Sequence, residues 1–355
     1  MGHAVLFRGG ATAVDAALAA GLLTHHPVRL PAIDLKPTVD LTRHPLSLVA
    51  QGVSALGAFQ PLEALAGQLF GGFILAFHDL AGDRFRELVE CLAPDEPVHL
   101  SELLERVHQG KSTKGIFAIT VDDGVGDTVR ALSAVAQGRH WPISFLLPTG
   151  YLDAPDATAF QWFRRIVARL PPVQLELRSG VVDLSTGRAR RRFERLVTAR
   201  MYTKPRSEYA ELIDELVSHA VAHGWVSRER DGPPAPITWN EVTSLAAHPA
   251  IRFESHGVTH TATVALPSEQ LDRELRDSQD RIQAHTGRPC RHFAYPFGGP
   301  ESIGPTASRL VAKYYDSAVT MSRGRLRNRD SFLLPRIPLY ATDTTARARL
   351  KVLTA

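Results

Sequence analysis

The residues of this 355-residue chain best suited to chemistry are two histidines four positions apart, His256 and His260 in SHGVTHT, and two adjacent carboxylates, Asp122 and Asp123 in TVDDG. Two imidazole nitrogens and one carboxylate oxygen, with a fourth position left for water, form a catalytic zinc arrangement. Nickel, cobalt or manganese would accept the same donors. Adjacent carboxylates suit a division of labour in which one binds the ion and the other takes a proton from water. Asp-Asp-Gly after a strand is also ordinary turn chemistry, and spacing alone does not separate the two readings. A second pair at the same spacing, His219 and His223, falls inside an amphipathic helical stretch over 208–223 and is read as part of a helix face.

The elements that must position these groups alternate regularly. Short apolar runs at 73–78 (FILAFH), 115–121 (GIFAITV), 142–148 (PISFLLP), 251–255 (IRFES) and 292–296 (HFAYP) are separated by helical stretches, and DSAVTM and SFLLPRIPL are further strand candidates. Strands separated by helices indicate parallel βα units, hence an α/β barrel or a doubly wound sheet. In such folds chemistry sits on the loops at the carboxyl ends of the strands. That rule selects His78, Asp122, Asp123, His256 with His260, Phe297 and Arg336, all at strand ends and able to converge on one face. Residues 1–70 read as an N-terminal helical extension, 71–342 as the α/β unit, and 343–355 as a C-terminal tail; 171–235 breaks the rhythm and is partly an insertion.

Composition narrows the class. With 44% hydrophobic and 22% charged residues the chain can bury a full core, which excludes disordered and fibrous classes. Cys91 and Cys290 are far apart and lack CxxC spacing, so neither a disulfide framework nor a thiolate zinc site follows. The start lacks the charged, apolar and small-residue pattern of a secretory signal, which points to the cytoplasm. The longest nearly apolar run, 64–77, is too short and glycine-rich to span a bilayer, so no transmembrane segment is expected. There is no phosphate-cradling glycine loop and no basic patch interleaved with aromatics, which argues against nucleotide and nucleic-acid partners. The arginine-rich stretches 187–195 and 323–329 read as solvated faces, with contact to an anionic glycan or lipid head groups as the alternative.

Taken together and in this order, TVDDG, SHGVTH and FAYPFG resemble the first three motifs of the polysaccharide deacetylases, carbohydrate esterase family 4. TWNEV before the histidine strand and TGRPCRHFAYPFG extend the resemblance, which spans roughly residues 72–340. The resemblance implies a distorted (β/α)7-type barrel and a bound divalent metal, zinc first. It also implies hydrolysis of N-acetyl groups from N-acetylglucosamine-type sugars in a polymer or glycoconjugate. By the same resemblance Asp122 is the general base, Asp123, His256 and His260 are the metal ligands, and Phe297 offers its backbone N–H to the oxyanion. Two positions depart from the family pattern: Ala294 stands where the family has arginine, and the late leucine-x-histidine motif is absent. Members of the circularly permuted branch carry that histidine on the first strand, which makes His78 the general acid, and Arg336 is read as replacing the arginine beside Asp122. Other readings are a deacylase or deformylase of a small or lipid-linked amide, and a carbohydrate-binding relative with little turnover.

Overall fold

The computed structural model describes residues 71–355 apart from 155–162, 164–165, 179, 228–230 and 327–329; the expected extension over 1–70 lies outside the described residues. The chain begins with β1 (Phe73–Phe77), α1 (Gly82–Glu90), β2 (Glu96–Val98), α2 (Leu100–His108), β3 (Ile116–Val121), α3 (Gly126–Arg139), β4 (Ile143–Leu147) and α4 (Thr149–Asp153). There follow β5 (Gln174–Leu177), β6 (Gly180–Asp183), α5 (Gly187–Thr203) and α6 (Ala210–Ala222). The remainder is α7 (Trp239–Ala246), β7 (Ile251–Ser255), α8 (Ser268–Thr286), β8 (His292–Ala294), α9 (Pro300–Ile303), α10 (Ala307–Val311), β9 (Ser317–Arg323), β10 (Leu334–Pro338) and α11 (Thr345–Leu353).

Seven parallel strands close on themselves in the order β1, β10, β9, β8, β7, β4, β3 and back to β1. This is the distorted (β/α)7-type barrel that the sequence led us to expect. β1 is buried along its whole length, as a strand covered on both faces must be. β2 pairs with Ile116 to Ala118, while β4 pairs with Thr120 and Val121 of the same strand. Since β1 fills one edge of β3, β2 and β4 share the other.

Alternation divides the strand side chains into two files. The inward file contains Ile74, Ala118, Leu146, Ala294, Val319 and Leu334, which pack with Leu100, Leu103 and Leu104 of α2. That helix plugs the end where the strands begin. The outward file, including Phe77, Phe145, Phe253 and Phe293, packs beneath α1, α3, α7, α8 and α11 through residues such as Leu88, Leu132, Val242, Leu275 and Val352.

The barrel is weakest between β7 and β8, which share only the pair Ser255 and Phe293. There the Glu254 carboxylate accepts from the backbone N–H groups of Arg291 (2.7 Å) and His292 (2.8 Å), the second of them buried. Burial pushes that carboxyl up to about 7.

Several expected boundaries shift. The helical stretch after β8 is divided into α9 and α10 by Gly304, whose φ of 78° favours glycine and where a Cβ would stand 3.1 Å from Val264. Around the expected insertion over 171–235 lies a separate hydrophobic core, which includes Leu175, Val197, Leu216 and Val226 together with Phe163 and Leu170. The C-terminal segment forms α11, buried through Ala348 and Val352. Arg323 and Arg325 clasp that helix: Arg323 donates to the carbonyl of Lys351 and Arg325 to that of Val352, so neither is a freely solvated charge. No helix among the described residues is long and apolar enough to cross a membrane.

Candidate metal and catalytic site

The inward files lead directly to the chemistry. Above Ala118 and Thr120 in β3 comes Asp122; above Leu334 in β10 comes Arg336; one step past β7 comes His256. Arg336 is fully buried, and its guanidinium grips Asp122 with two parallel hydrogen bonds of 2.7 Å, Nη1 to Oδ1 and Nη2 to Oδ2. It also donates from Nε to the Thr320 carbonyl (2.9 Å) and from Nη1 to Thr120 Oγ1 (3.1 Å). A bidentate pair of this kind fixes both position and plane of the carboxylate. Burial alone would raise the Asp122 carboxyl, but the guanidinium, with His256 and His78 nearby, outweighs it and holds the group below the usual carboxylate range. His78 Nε2 lies 3.7 Å from Asp122 Oδ2, the oxygen that also accepts from Arg336 Nη2, and His78 Nδ1 is buried without a hydrogen-bond partner.

Asp123, His256 and His260 form a second group whose donor atoms all lie within 4.8 Å of one another. Asp123 Oδ1 is 3.7 Å from His256 Nε2 and 3.3 Å from His260 Nε2. Two donors bound tetrahedrally to one ion at 2.0–2.1 Å would stand roughly 3.4 Å apart, so the spacing fits. The protonation states fit as well. Burial pushes the His256 imidazole down to about 4, so it is neutral near pH 7. Its Nδ1 lies 2.8 Å from the Ala294 carbonyl; donation there leaves the Nε2 lone pair directed toward Asp123. The Asp123 carboxyl, which burial would raise, is held well below its usual range by His260, His78 and His256. Position 294 thus contributes through its backbone, which any residue supplies.

Backbone conformation marks the same residues. Asp123 (φ 72°), His260 (φ 55°) and Phe297 (φ 62°) all adopt the left-handed region. A non-glycine residue there costs about 1 kcal/mol or more, and such strain concentrates at functional sites. The loop between the two histidines is held from both sides. Thr149 and Gly150 donate to the carbonyls of Gly257 and Val258, each at 2.9 Å, and Glu274 Oε2 on α8 accepts from the amides of Val258 (2.7 Å) and Thr259 (2.9 Å). A Cβ at position 150 would lie 2.7 Å from the Val258 carbonyl, so glycine is needed for the approach. If Asp123, His256 and His260 hold an ion, replacing Glu274 with Ala is expected to weaken its binding about 10- to 100-fold with all three donors retained. Competition against a chelating dye would measure this, and unchanged affinity would show that the loop holds its shape without Glu274.

The rings of His260 and Phe297 meet edge to face at 4.8 Å, and Tyr202 of α5 lies 4.7 Å from Phe297, so the insertion reaches the site. All the strand-end residues selected from sequence therefore converge. The other histidine pair does not join them: His219 and His223 stack at 4.2 Å beside Trp225 at the end of α6, as a helix-face reading predicts. Sequence reasoning missed Thr149 and Gly150, although the strand-end rule also covers PTG after β4. It missed Glu274 too, which looks like one charge among many on α8.

Residues 207–315 match the polysaccharide deacetylase family, a span that contains His256, His260 and Phe297 but not Asp122 or Asp123. No curated protein sequence matches the chain. Among solved structures, the chain is similar to the Streptococcus pyogenes deacetylase PplD in complex with acetate, at TM-score 0.52 and 11% identity, covering 80% of this chain and 97% of that one. It is also similar to the de-N-acetylase from Aggregatibacter actinomycetemcomitans (TM-score 0.51, 11% identity, 79% and 99% covered). IcaB from Ammonifex degensii is a third (TM-score 0.50, 14% identity, 80% and 97% covered). At these identities the structural likeness speaks for the fold alone, and the sequence match extends over residues 207–315. Residues 207–315 thus resemble the polysaccharide deacetylases in sequence, and the barrel around them shares its fold with solved deacetylases.

Proposed function

We propose that this protein removes N-acetyl groups from N-acetylglucosamine-type sugars within a polysaccharide or glycoconjugate, and that it depends on a divalent metal, zinc before cobalt, nickel or manganese. The observation that carries the proposal is the juxtaposition of two carboxylates in different electrostatic settings. Asp122 is clamped by Arg336, and its neighbour Asp123 faces the Nε2 atoms of His256 and His260.

A divalent ion held by Asp123, His256 and His260 would polarise the acyl carbonyl and acidify a neighbouring water. Asp122 is ionised at neutral pH and accepts the proton of the attacking water, its orientation fixed by Arg336. The backbone N–H of Phe297 donates to the developing oxyanion, a role indifferent to the side chain at that position. His78, whose Nε2 lies 3.7 Å from Asp122 Oδ2, returns a proton to the departing amine nitrogen. The relative solved with acetate holds the small product expected of such a hydrolysis.

Metal content of wild type beside His260→Ala tests this reading first. About one equivalent of a divalent ion in the wild type, lost from the variant, is the expected result, accompanied by acetate release from N-acetylglucosamine oligomers in the wild type alone. An ion-free wild type after reconstitution would remove the basis for the proposal. Metal uptake without acetate release would move the substrate to another acyl amide.

A further inference from the structure

The insertion helix α5 carries six arginines and one acid, Glu194. Two of the arginines have structural contacts or a less exposed position: Arg190 donates to the carbonyls of Val167, Leu170 and Pro171, and Arg200 is half-buried in the last turn. The other four, Arg188, Arg191, Arg192 and Arg195, are exposed, and none makes an ion pair or side-chain hydrogen bond among the described residues.

This arrangement works against the helix. Arg188 with Arg191 and Arg192, and Arg195 with Arg191 and Arg192, are like charges three or four residues apart, and each such pair destabilises a helix by a few tenths of a kcal/mol. The first turn contains no acid to offset Arg188. By contrast, elsewhere on the surface arginines at the same spacings have acidic partners, such as Arg106 with Glu102 and Arg130 with Asp127.

The row also has a direction. Arg188, Arg195 and Tyr202 are spaced by seven residues, so they lie within about 40° of one line along the helix, at intervals of roughly 10 Å. Tyr202 is the residue whose ring meets Phe297 beside His260. The same helix packs against α9 and against the turn Thr263–Ala265, which follows the metal loop. A chain lying along the arginines is thereby led to the site.

We propose that the exposed face of α5 binds an anionic stretch of the glycan whose amide is cleaved at the barrel, so that the preferred substrate is an amino-sugar polymer bearing carboxylate or phosphate groups. This rests on the deacetylase reading above and deepens it. The four guanidinium groups hold the acidic sugars, and Tyr202 marks where the polymer enters the site.

The test compares binding of two oligosaccharides of equal length to the full-length metal-loaded protein: a hyaluronan oligomer, which alternates glucuronate with N-acetylglucosamine, and a neutral chitin oligomer. The wild type is expected to bind the anionic oligomer about tenfold tighter or more, with the advantage falling steeply as salt rises. Replacing Arg188, Arg191, Arg192 and Arg195 together with Gln, which preserves helix propensity, should erase that advantage. Metal content and affinity for the neutral oligomer should stay unchanged, and the corresponding Lys replacement should keep most of the advantage. Equal binding of the two oligomers by wild type would overturn the proposal, as would an advantage that survives the Gln replacement. Arginine-dependent binding to phosphatidylglycerol vesicles without binding to the anionic oligomer would assign the face to a membrane and also overturn it. Failure to release acetate from the neutral oligomer would count against the deacetylase reading alone, since the binding comparison does not require turnover.

Discussion

Replacing Asp122 with Asn is expected to slow N-acetyl hydrolysis by about 10²- to 10⁴-fold, the range lost with a positioned general base, while the protein still binds one divalent ion. The two effects separate because Asp122 makes its close contacts with Arg336, whereas the cluster of metal-capable donors consists of Asp123, His256 and His260. Asparagine can accept one of the two guanidinium bonds but presents N–H to the other Nη, so Arg336 is left buried with a poorer partner. Some stability must be lost, up to about 3–5 kcal/mol for a buried charge deprived of its counterion. Rates therefore need to be compared at a temperature where metal content and circular dichroism show the variant folded. Near-normal turnover under those conditions would reject Asp122 as the base. Loss of metal would instead place Asp122 among the ligands.

Much of the site was legible because two local rules coincide. Apolar runs of strand length mark where a barrel strand ends, and residues just beyond those ends face one mouth. His78, Asp122, His256, Phe297 and Arg336 all follow from that reasoning, and the structure brings them together. What the chain does far from a strand end was not legible. The amphipathic pattern of α2 is that of any surface helix, yet Leu100, Leu103 and Leu104 face the barrel interior. Glu274 gains its contacts only when α8 folds back under the loop between His256 and His260. Arg325 belongs to a run that reads as solvated charge, but the docking of α11 turns it inward to the Val352 carbonyl. In each case tertiary packing decides between residues that look alike in sequence.

Replacing Arg336 with Met should reveal what the clamp does for the base. Breaking a buried pair by removing one partner costs about 3–5 kcal/mol, because the remaining charge is left in the interior. The pH dependence distinguishes this from simple loosening. In the wild type the folded Asp122 carboxyl lies below its unfolded value, so it contributes stability that is fully present above about pH 4 and is lost as pH falls through the folded value. Without the guanidinium, the strongest of the groups that lower it, burial is opposed only by His256 and His78, and the folded carboxyl is expected to rise above its unfolded value. Its contribution then reverses sign: stability falls as pH increases from about 4 through the raised folded value. Catalysis follows the same proton. If Asp122 is the base proposed above, it must be ionised to act, so the acidic limb of kcat/KM should move to higher pH, with activity partly recovered on the alkaline side. Urea midpoints measured across the pH range, together with the pH profile of kcat/KM, test both statements. A variant that loses activity equally at every pH, with an unmoved acidic limb, would show that Arg336 holds the barrel together without setting the state of Asp122.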